Sequence, residues 1–131
     1  MNTTATATKQ YFTTEEIKNQ LLDSLYDGME CYLCDLPWEV FNTELYIDNK
    51  EEAIQALEQY DIFKAIGKVY TYEKDNYGEL YTNLDNPENL ANNLYLTLAL
   101  EYFYSLDIDF DKFDYIDDDN IQDLIKVIEN Q

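Results

Sequence analysis

The sequence predicts an all-α or mainly α fold, a single compact bundle of five to six helices. Apolar residues recur at intervals of three and four in most of the chain, and capping residues precede several of these runs. Hydrophobic residues make up 46% of the 131 residues, so the chain can bury a core despite a formal net charge of −20. We expect residues 1–10 to be a flexible polar tail and residues 11–131 to form one helical acidic domain.

The first helix is predicted to begin directly after the polar tail. Thr13 and Glu16 have the spacing of a capping box. An apolar stripe at helical spacing follows, made of Ile17, Leu21, Leu25, Met29 and Tyr32. The opposite side is predicted to carry an acidic ridge of Glu16, Asp23, Asp27 and Glu30. Taken alone, this ridge is more typical of an ordinary solvated helix face.

Two cysteines, Cys31 and Cys34, follow with the spacing of half a zinc site. The chain has no third cysteine and no histidine, so four zinc ligands of these types are not present. We expect both thiols to be buried as small apolar groups, because the strand-to-helix context of a redox pair is not predicted here. Asp35 and Pro37 are predicted to begin a short second helix, with one apolar face made of Trp38, Phe41 and Leu45.

The middle of the chain predicts two consecutive helices. Asn49 with Glu52 is predicted to cap the first helix, and Asp61 is predicted to cap its continuation. The continuation carries apolar residues that we expect to face inward: Ile62, Phe63, Ile66, Val69 and Tyr70. Gly67 is expected to allow a neighbouring element to approach closely. Asp75, Asn76 and Gly78 are predicted to end the run, and residues 77–86 are long enough for a short hairpin or strand.

The most apolar helix is predicted to start at Asp85 to Pro87 and to lie centrally in the bundle. Its polar residues recur every four positions and form a seam of Asn89, Asn93, Thr97, Glu101 and Ser105. The sequence is compatible with an outward edge or a buried contact line at this seam. A final amphipathic helix is predicted from Ile121, Leu124, Ile125 and Ile128, capped by one of Asp117, Asp118 or Asp119.

Residues 107–119, called the acidic segment below, interleave seven carboxylates with aromatic and aliphatic residues. Asp107, Asp109, Asp111 and Asp118 match positions of a calcium-binding loop, but Lys112 replaces the glycine that its turn requires and Asp118 the usual glutamate. We therefore expect no metal site and no cofactor. No arrangement of catalytic residues is recognisable, and we expect the protein not to be an enzyme.

The charge balance indicates the class of partner. The chain has 28 acidic residues, 8 lysines and no arginine, so direct binding to nucleic acid or to an anionic membrane surface is not expected. A basic protein is the natural complement. At one charge per about 1.7 Å of duplex DNA, twenty charges correspond to about 34 Å of duplex. That length matches the diameter of roughly 35 Å expected for a compact domain of this size.

In length, negative charge, helical character and tyrosine content, the chain resembles small phage-encoded DNA-mimic proteins that inhibit CRISPR effectors or restriction enzymes. Four segments are also similar to a pattern in small phage proteins, namely residues 40–44, 63–69, 72–79 and 86–92. These resemblances imply a phage or mobile-element origin. Because the chain shows no membrane-length apolar run, no apolar core of a signal peptide and only two cysteines, we expect a cytoplasmic location, which for a phage protein is the cytoplasm of the host cell. They imply that a basic, nucleic-acid-binding protein, a CRISPR effector or a restriction enzyme, is the target.

The residues expected to contact this partner are mostly carboxylates, with two aromatic anchors. They are Asp23, Asp27, Glu30, Asp107, Asp109, Asp111, Asp114, Asp117, Asp118, Asp119, Phe113 and Tyr115. Apolar residues within an acidic loop also commonly pin the loop to the domain beneath, with the phenyl rings inward and the carboxylates outward. The alternative function is a phage adaptor or assembly protein that binds its partner through its helices, with acidity serving solubility. A homodimer that extends the acidic surface is compatible with either function.

Overall fold

The computed structural model describes residues 12–41, 50–82 and 93–131. It confirms a mainly α, compact bundle. The described residues form six α-helices: α1 (Thr14–Tyr26), α2 (Leu36–Phe41), α3 (Lys50–Gln59), α4 (Ile62–Tyr77), α5 (Leu94–Ser105) and α6 (Ile121–Glu129). They also contain a 3-10 turn (Leu33–Asp35) and two strands, β1 (Cys31–Tyr32) and β2 (Tyr115–Ile116). Within these residues, no helix combines the length and apolar character needed to cross a bilayer.

The predicted start of α1 is confirmed, but its end was predicted too late. The Thr13 hydroxyl accepts a hydrogen bond from the Glu16 amide at 3.1 Å. The helix ends at Tyr26, and Gly28 follows with a φ of 91°, a left-handed conformation that glycine adopts without strain. Glu30 therefore lies beyond the helix, and the acidic ridge predicted from Glu16 to Glu30 is not continuous.

The two ends of α4 match the predicted start and stop signals. The Asp61 carboxylate accepts a hydrogen bond from the Lys64 amide at 3.1 Å, and Gly78 caps the C-terminus with a φ of 79°. Two interior predictions were wrong. Phe63 is 73% exposed rather than buried, and a Cβ placed on Gly67 would meet no heavy atom of another described element within 4 Å.

Helices α4 and α5 lie side by side and run in the same direction. Ile62 and Leu94 share a buried cluster near the helix starts. Lys68 pairs with Glu101 at 3.8 Å, and the Tyr104 hydroxyl bonds to Glu73 at 3.0 Å. Because residue number increases together along both helices, their C-terminal ends lie at the same end of the bundle. Helix α5 also packs on α1 and α2, which is the central position predicted for the most apolar helix.

The polar seam of α5 is neither wholly an outward edge nor wholly a buried contact line. Thr97 is buried and its hydroxyl donates to the Asn93 carbonyl at 2.8 Å, whereas Ser105 is exposed. Asn89 lies outside the described residues, as do Leu45, Asn49 and the predicted helix start at Asp85 to Pro87. Of the predicted hairpin at residues 77–86, the described part up to Thr82 contains no strand.

The main core is formed by the inner faces of α1, α2, α5 and α6. The four predicted apolar residues of α6 are all buried: Ile121, Leu124, Ile125 and Ile128. Three residues of the acidic segment, Ile108, Phe113 and Ile116, belong to the same cluster. The acidic segment is therefore attached to the bundle by its own apolar side chains.

Candidate functional site

The acidic segment has a defined fold built from its own polar groups. The Asp109 carboxylate accepts hydrogen bonds from the amides of Asp111 and Lys112 at 3.0 and 3.2 Å. The Asp117 carboxylate accepts one from the Asp119 amide at 2.9 Å. These turns are the usual local use of aspartate, and they assign a structural role to two of the seven predicted contact carboxylates.

The remaining five carboxylates of the segment are exposed: Asp107, Asp111, Asp114, Asp118 and Asp119. Within the described part of the chain, none of the segment's carboxylates forms a salt bridge. The ammonium of Lys112 lies 5.2 Å from the centre of the Phe113 ring. The negative charge of the segment is therefore not neutralised by its one lysine through an ion pair.

The aromatic residues of the segment divide between the core and the surface. Phe113 is 1% exposed and fills the core, so its ring is not available as the partner anchor that the sequence suggested. Tyr115 is exposed, as predicted for a contact residue, and so is Phe110. Burial of Phe113 together with Ile108 and Ile116 agrees with the alternative that apolar side chains pin the segment to the core.

The predicted cap of α6 was also wrong. Asn120 occupies the N-cap position and makes no capping bond to the helix with its side chain. The side-chain oxygen Oδ1 of Asn120 instead accepts a hydrogen bond from the Asp117 backbone amide at 3.0 Å, and its side-chain nitrogen Nδ2 donates to the Tyr115 backbone carbonyl at 2.7 Å. Asn120 thus holds the end of the acidic segment to the strand β2.

The strand pair brings a second set of carboxylates beside the acidic segment. In the antiparallel register Cys31 is opposite Ile116 and Tyr32 is opposite Tyr115, and the Leu33 amide donates to the Asp114 carbonyl at 2.9 Å. Glu30 directly precedes β1 and Asp117 directly follows β2, so in this antiparallel pair both residues lie at the same end of the two strands. The exposed rings of Tyr32 and Tyr115 pack edge to face, with centroids 5.0 Å apart.

Further carboxylates lie close enough to Cys31 and Cys34 to raise the pKa of both thiols. Burial, Glu39 and Asp35 raise the pKa of the Cys31 thiol to about 11. Burial and the charges of Asp35 and Asp114 raise the pKa of the Cys34 thiol. The two thiols were expected to be buried, but Cys31 is half-buried and Cys34 is exposed. The strand-to-helix context thought absent does exist here, yet the surrounding negative charge disfavours the thiolate that redox chemistry needs.

We call the combined surface of the acidic segment, Glu30, Asp35 and Glu39 the acidic face. Sequence reasoning found Glu30 and the segment but missed Asp35, Glu39 and the exposed Tyr32. Two strands of two residues each carry no periodic signal, so their pairing across the chain was not predictable. Asp23 and Asp27 are exposed on and just after α1. No described hydrogen bond joins these two side chains to the acidic face.

A buried carboxylate lies at the C-terminal ends of α4 and α5. Glu73 is 0% exposed. Its Oε1 accepts from the amides of Tyr81 and Thr82 at 3.2 and 3.1 Å, and its Oε2 accepts from the hydroxyls of Thr82 and Tyr104 at 2.6 and 3.0 Å. Four donors compensate for its burial. Glu73 therefore fixes the chain after α4 against α5.

An aromatic cluster surrounds this carboxylate. The rings of Tyr72 and Tyr104 stack at 4.1 Å with an angle of 5° between their planes, and Tyr77 packs edge to face on Tyr104 and Tyr81. Burial, followed by the charge of Glu73, raises the pKa of Tyr104. The tyrosine consequently stays protonated and donates its hydroxyl hydrogen to the carboxylate.

Among the described residues, no group of three or more histidine, cysteine or acidic side chains is arranged to hold a metal ion. No protein-family model matches the chain, and no curated protein or solved structure matches it significantly.

Proposed function

We propose that the protein inhibits a host defence enzyme, a CRISPR effector or a restriction enzyme, by occupying its basic, nucleic-acid-binding groove. Carboxylates of the acidic face take the place of nucleic-acid phosphates against lysines and arginines of the target. Long-range attraction speeds encounter, and exposed aromatic side chains such as Tyr115 add contact area. Inhibition is competitive with nucleic acid.

One observation carries this proposal: the negative charge faces outward on an ordered surface. Within the described residues, every carboxylate except Glu73, Glu101 and Asp117 is exposed. The densest group belongs to a segment that Ile108, Phe113 and Ile116 hold to the core. A surface fixed in this way loses less conformational entropy on binding than a disordered acidic tail of the same charge.

The first test captures partners from a host lysate on the immobilised protein at low salt. A nucleic-acid-handling enzyme should be retained, and added duplex DNA or guide RNA should displace it. Retention should weaken strongly between low and high salt because exposed charges are screened. Retention that is indifferent to both salt and nucleic acid would show that phosphate mimicry is the wrong mechanism.

The second test separates the acidic face from net charge. The double variant Asp111→Asn/Asp114→Asn removes two exposed carboxylates of the acidic face, and Glu58→Gln/Asp75→Asn removes two exposed carboxylates of α3 and α4. Both variants change the net charge by the same amount. The first should weaken target binding by tenfold or more at low salt, about 1.4 kcal/mol, and the second by much less. Equal losses would assign the effect to net charge alone.

The alternative function, a phage adaptor that binds through its helices, has one observation in its favour. Phe63 at the start of α4 is the most exposed of the large apolar side chains in the described residues. Under this alternative, Phe63→Ala abolishes partner capture and Asp111→Asn/Asp114→Asn leaves it intact. The proposed inhibition predicts the opposite pair of results.

A further inference from the structure

A cleft of about 460 Å³ lies beside the acidic face. Its described lining comes from separate parts of the chain: Cys34, Asp35, Trp38, Tyr77, Tyr81 and Tyr104. The side chains of Cys34, Asp35 and Tyr81 are exposed, whereas Tyr104 is buried. The cleft thus has a solvent-facing mouth and an aromatic floor. Its volume falls in the range of about 300–1,000 Å³ typical of sites that hold a ligand.

The chemistry of the lining favours a cation. Four of the six side chains are aromatic, one is a carboxylate, and none of these described residues is positively charged. Aromatic faces attract cations through the negative charge of their π-systems, and tryptophan and tyrosine do so most strongly. The rings are held in place by one another, since Tyr77 packs edge to face on Tyr81 with centroids 5.5 Å apart.

Carboxylates around the mouth add to the negative potential. Asp35 lines the cleft, and the charges of Asp35 and Asp114 both act on the Cys34 thiol, whose pKa is raised by burial and by these neighbours. On the other side, a hydrogen bond with Glu79 and the charge of that carboxylate raise the pKa of Tyr81. The acidic segment and the cleft therefore form one continuous negative region.

The ends of helices α4 and α5 also add negative potential at the cleft. Helix α4 ends at Tyr77, and α5 ends at Ser105, directly after Tyr104. Because the two helices are parallel, both C-terminal ends lie at the cleft. A helix C-terminus carries a partial negative charge of roughly half a unit, so these two ends favour a bound cation. The N-terminus of the six-residue α2, which starts directly after Asp35, offsets part of this effect.

We propose that this cleft binds the guanidinium group of an arginine side chain from the basic protein partner. The planar group stacks on the rings of Trp38 and Tyr81, while Asp35 accepts its hydrogen bonds. Arginine fits better than lysine because a guanidinium stacks on aromatic faces and pairs with a carboxylate through two parallel N–H groups. The inference rests on the proposed function only for the origin of the arginine in a nucleic-acid-binding groove.

The cleft contains its own reporter, because Trp38 is the single tryptophan of the chain. Tryptophan fluorescence of the full chain is titrated with three capped peptides, Gly-Arg-Gly, Gly-Lys-Gly and Gly-citrulline-Gly. The arginine peptide should give a saturable change, the lysine peptide should bind several-fold more weakly, and the neutral citrulline peptide should give no saturation. Equal responses to arginine and citrulline, or no saturable response to arginine, would overturn the proposal. Lysine binding as strong as arginine would overturn the guanidinium assignment.

Three variants locate the binding. Asp35→Asn and Tyr81→Leu should each weaken arginine-peptide binding by about tenfold. The matched control is Tyr26→Leu, because Tyr26 and Tyr81 are both 57% exposed and Tyr26 does not line the cleft. The Tyr26→Leu variant should bind the arginine peptide with the same affinity as the unmodified protein. An equal loss in the control, or no loss in either cleft variant, would show that the peptide binds elsewhere.

Cys34 offers an independent readout at the mouth. Saturating arginine peptide should slow alkylation of Cys34 several-fold and leave the half-buried Cys31 unaffected, as resolved by peptide mass mapping. Unchanged Cys34 reactivity under saturation would exclude binding in the cleft. These peptide experiments need no target enzyme, so their failure is distinguishable from failure of the lysate capture, which tests the proposed function itself.

Discussion

Replacement of Glu73 tests how the C-terminal ends of α4 and α5 are held together. Glu73→Ala leaves three buried donors without an acceptor: the Thr82 amide, the Thr82 hydroxyl and the Tyr104 hydroxyl. At about 1 kcal/mol or more for each, the loss of unfolding free energy should be about 3 kcal/mol. That is a large part of the roughly 5–15 kcal/mol typical of a domain.

Glu73→Gln is the informative companion variant. The glutamine oxygen can still accept from the amides of Tyr81 and Thr82, and its nitrogen can donate to hydroxyls that reverse their direction. We therefore expect a loss of about 1 kcal/mol for glutamine, clearly smaller than for alanine. Asp75→Ala on the exposed side of α4 is the control and should change stability by no more than about 0.5 kcal/mol.

The measurement is equilibrium urea unfolding followed by Trp38 fluorescence and by far-ultraviolet circular dichroism. Coincident transitions justify a two-state fit, and an unchanged slope shows that the unfolded state is comparable between variants. A loss of unfolding free energy below about 1 kcal/mol for Glu73→Ala, or equal losses for alanine and glutamine, would contradict this prediction. A small cost for alanine would mean that the four hydrogen bonds add little net stability, whereas equal costs would mean that glutamine does not replace the carboxylate as an acceptor.

Three further predictions address the core, the first cap and alkaline stability. Phe113→Ala should lower the free energy of unfolding, measured in urea, by about 3–5 kcal/mol because its ring is buried. Phe110→Ala removes an exposed ring of the same segment and should lower it by less than about 1 kcal/mol. Similar losses would contradict the division between core and surface. Thr13→Ala should lower the free energy of unfolding by about 1 kcal/mol. Thr13→Ser should lower it much less, because the serine hydroxyl can also accept a hydrogen bond from the Glu16 amide, and equal losses would exclude capping as the cause. Burial raises the pKa of Tyr95 from 10.0 to about 12, so above pH 10 the unfolded chain releases a proton that the folded chain retains. The free energy of unfolding measured in urea should therefore be constant below about pH 10 and fall as the pH rises towards 12. Tyr95→Phe should reduce that fall, and an unchanged pH profile in this variant would show that Tyr95 is not its source.

Local sequence signals predicted the helices well. The Thr13 and Asp61 caps, the Gly78 stop and the apolar stripe of α6 all depend on residues within one or two turns of each other. Errors arose where one residue overrode the pattern. Gly28 ended α1 although the apolar spacing continued to Tyr32, because a left-handed residue interrupts the helical hydrogen bonds whatever the later spacing is.

The candidate site was predicted only in part. The carboxylates of the acidic segment were found because charge is visible in the composition. Which aromatic ring faced outward was not predictable, since Phe110 and Phe113 have the same chemistry. Their difference arises from the Asp109 turn and from the position of the segment over the core.

The sequence by itself determined a helical, strongly acidic chain with a few well-marked helix ends, because propensity, capping and charge are local properties. The tertiary structure alone decided that Glu73 is buried, that Asp35 and Asp114 act on one thiol, and that aromatic rings from α2, α4 and α5 line one cleft. Each of these depends on contacts between residues far apart in the chain. Such contacts are set by how the helices pack and by the direction of α4 relative to α5, and neither leaves a periodic mark in the sequence.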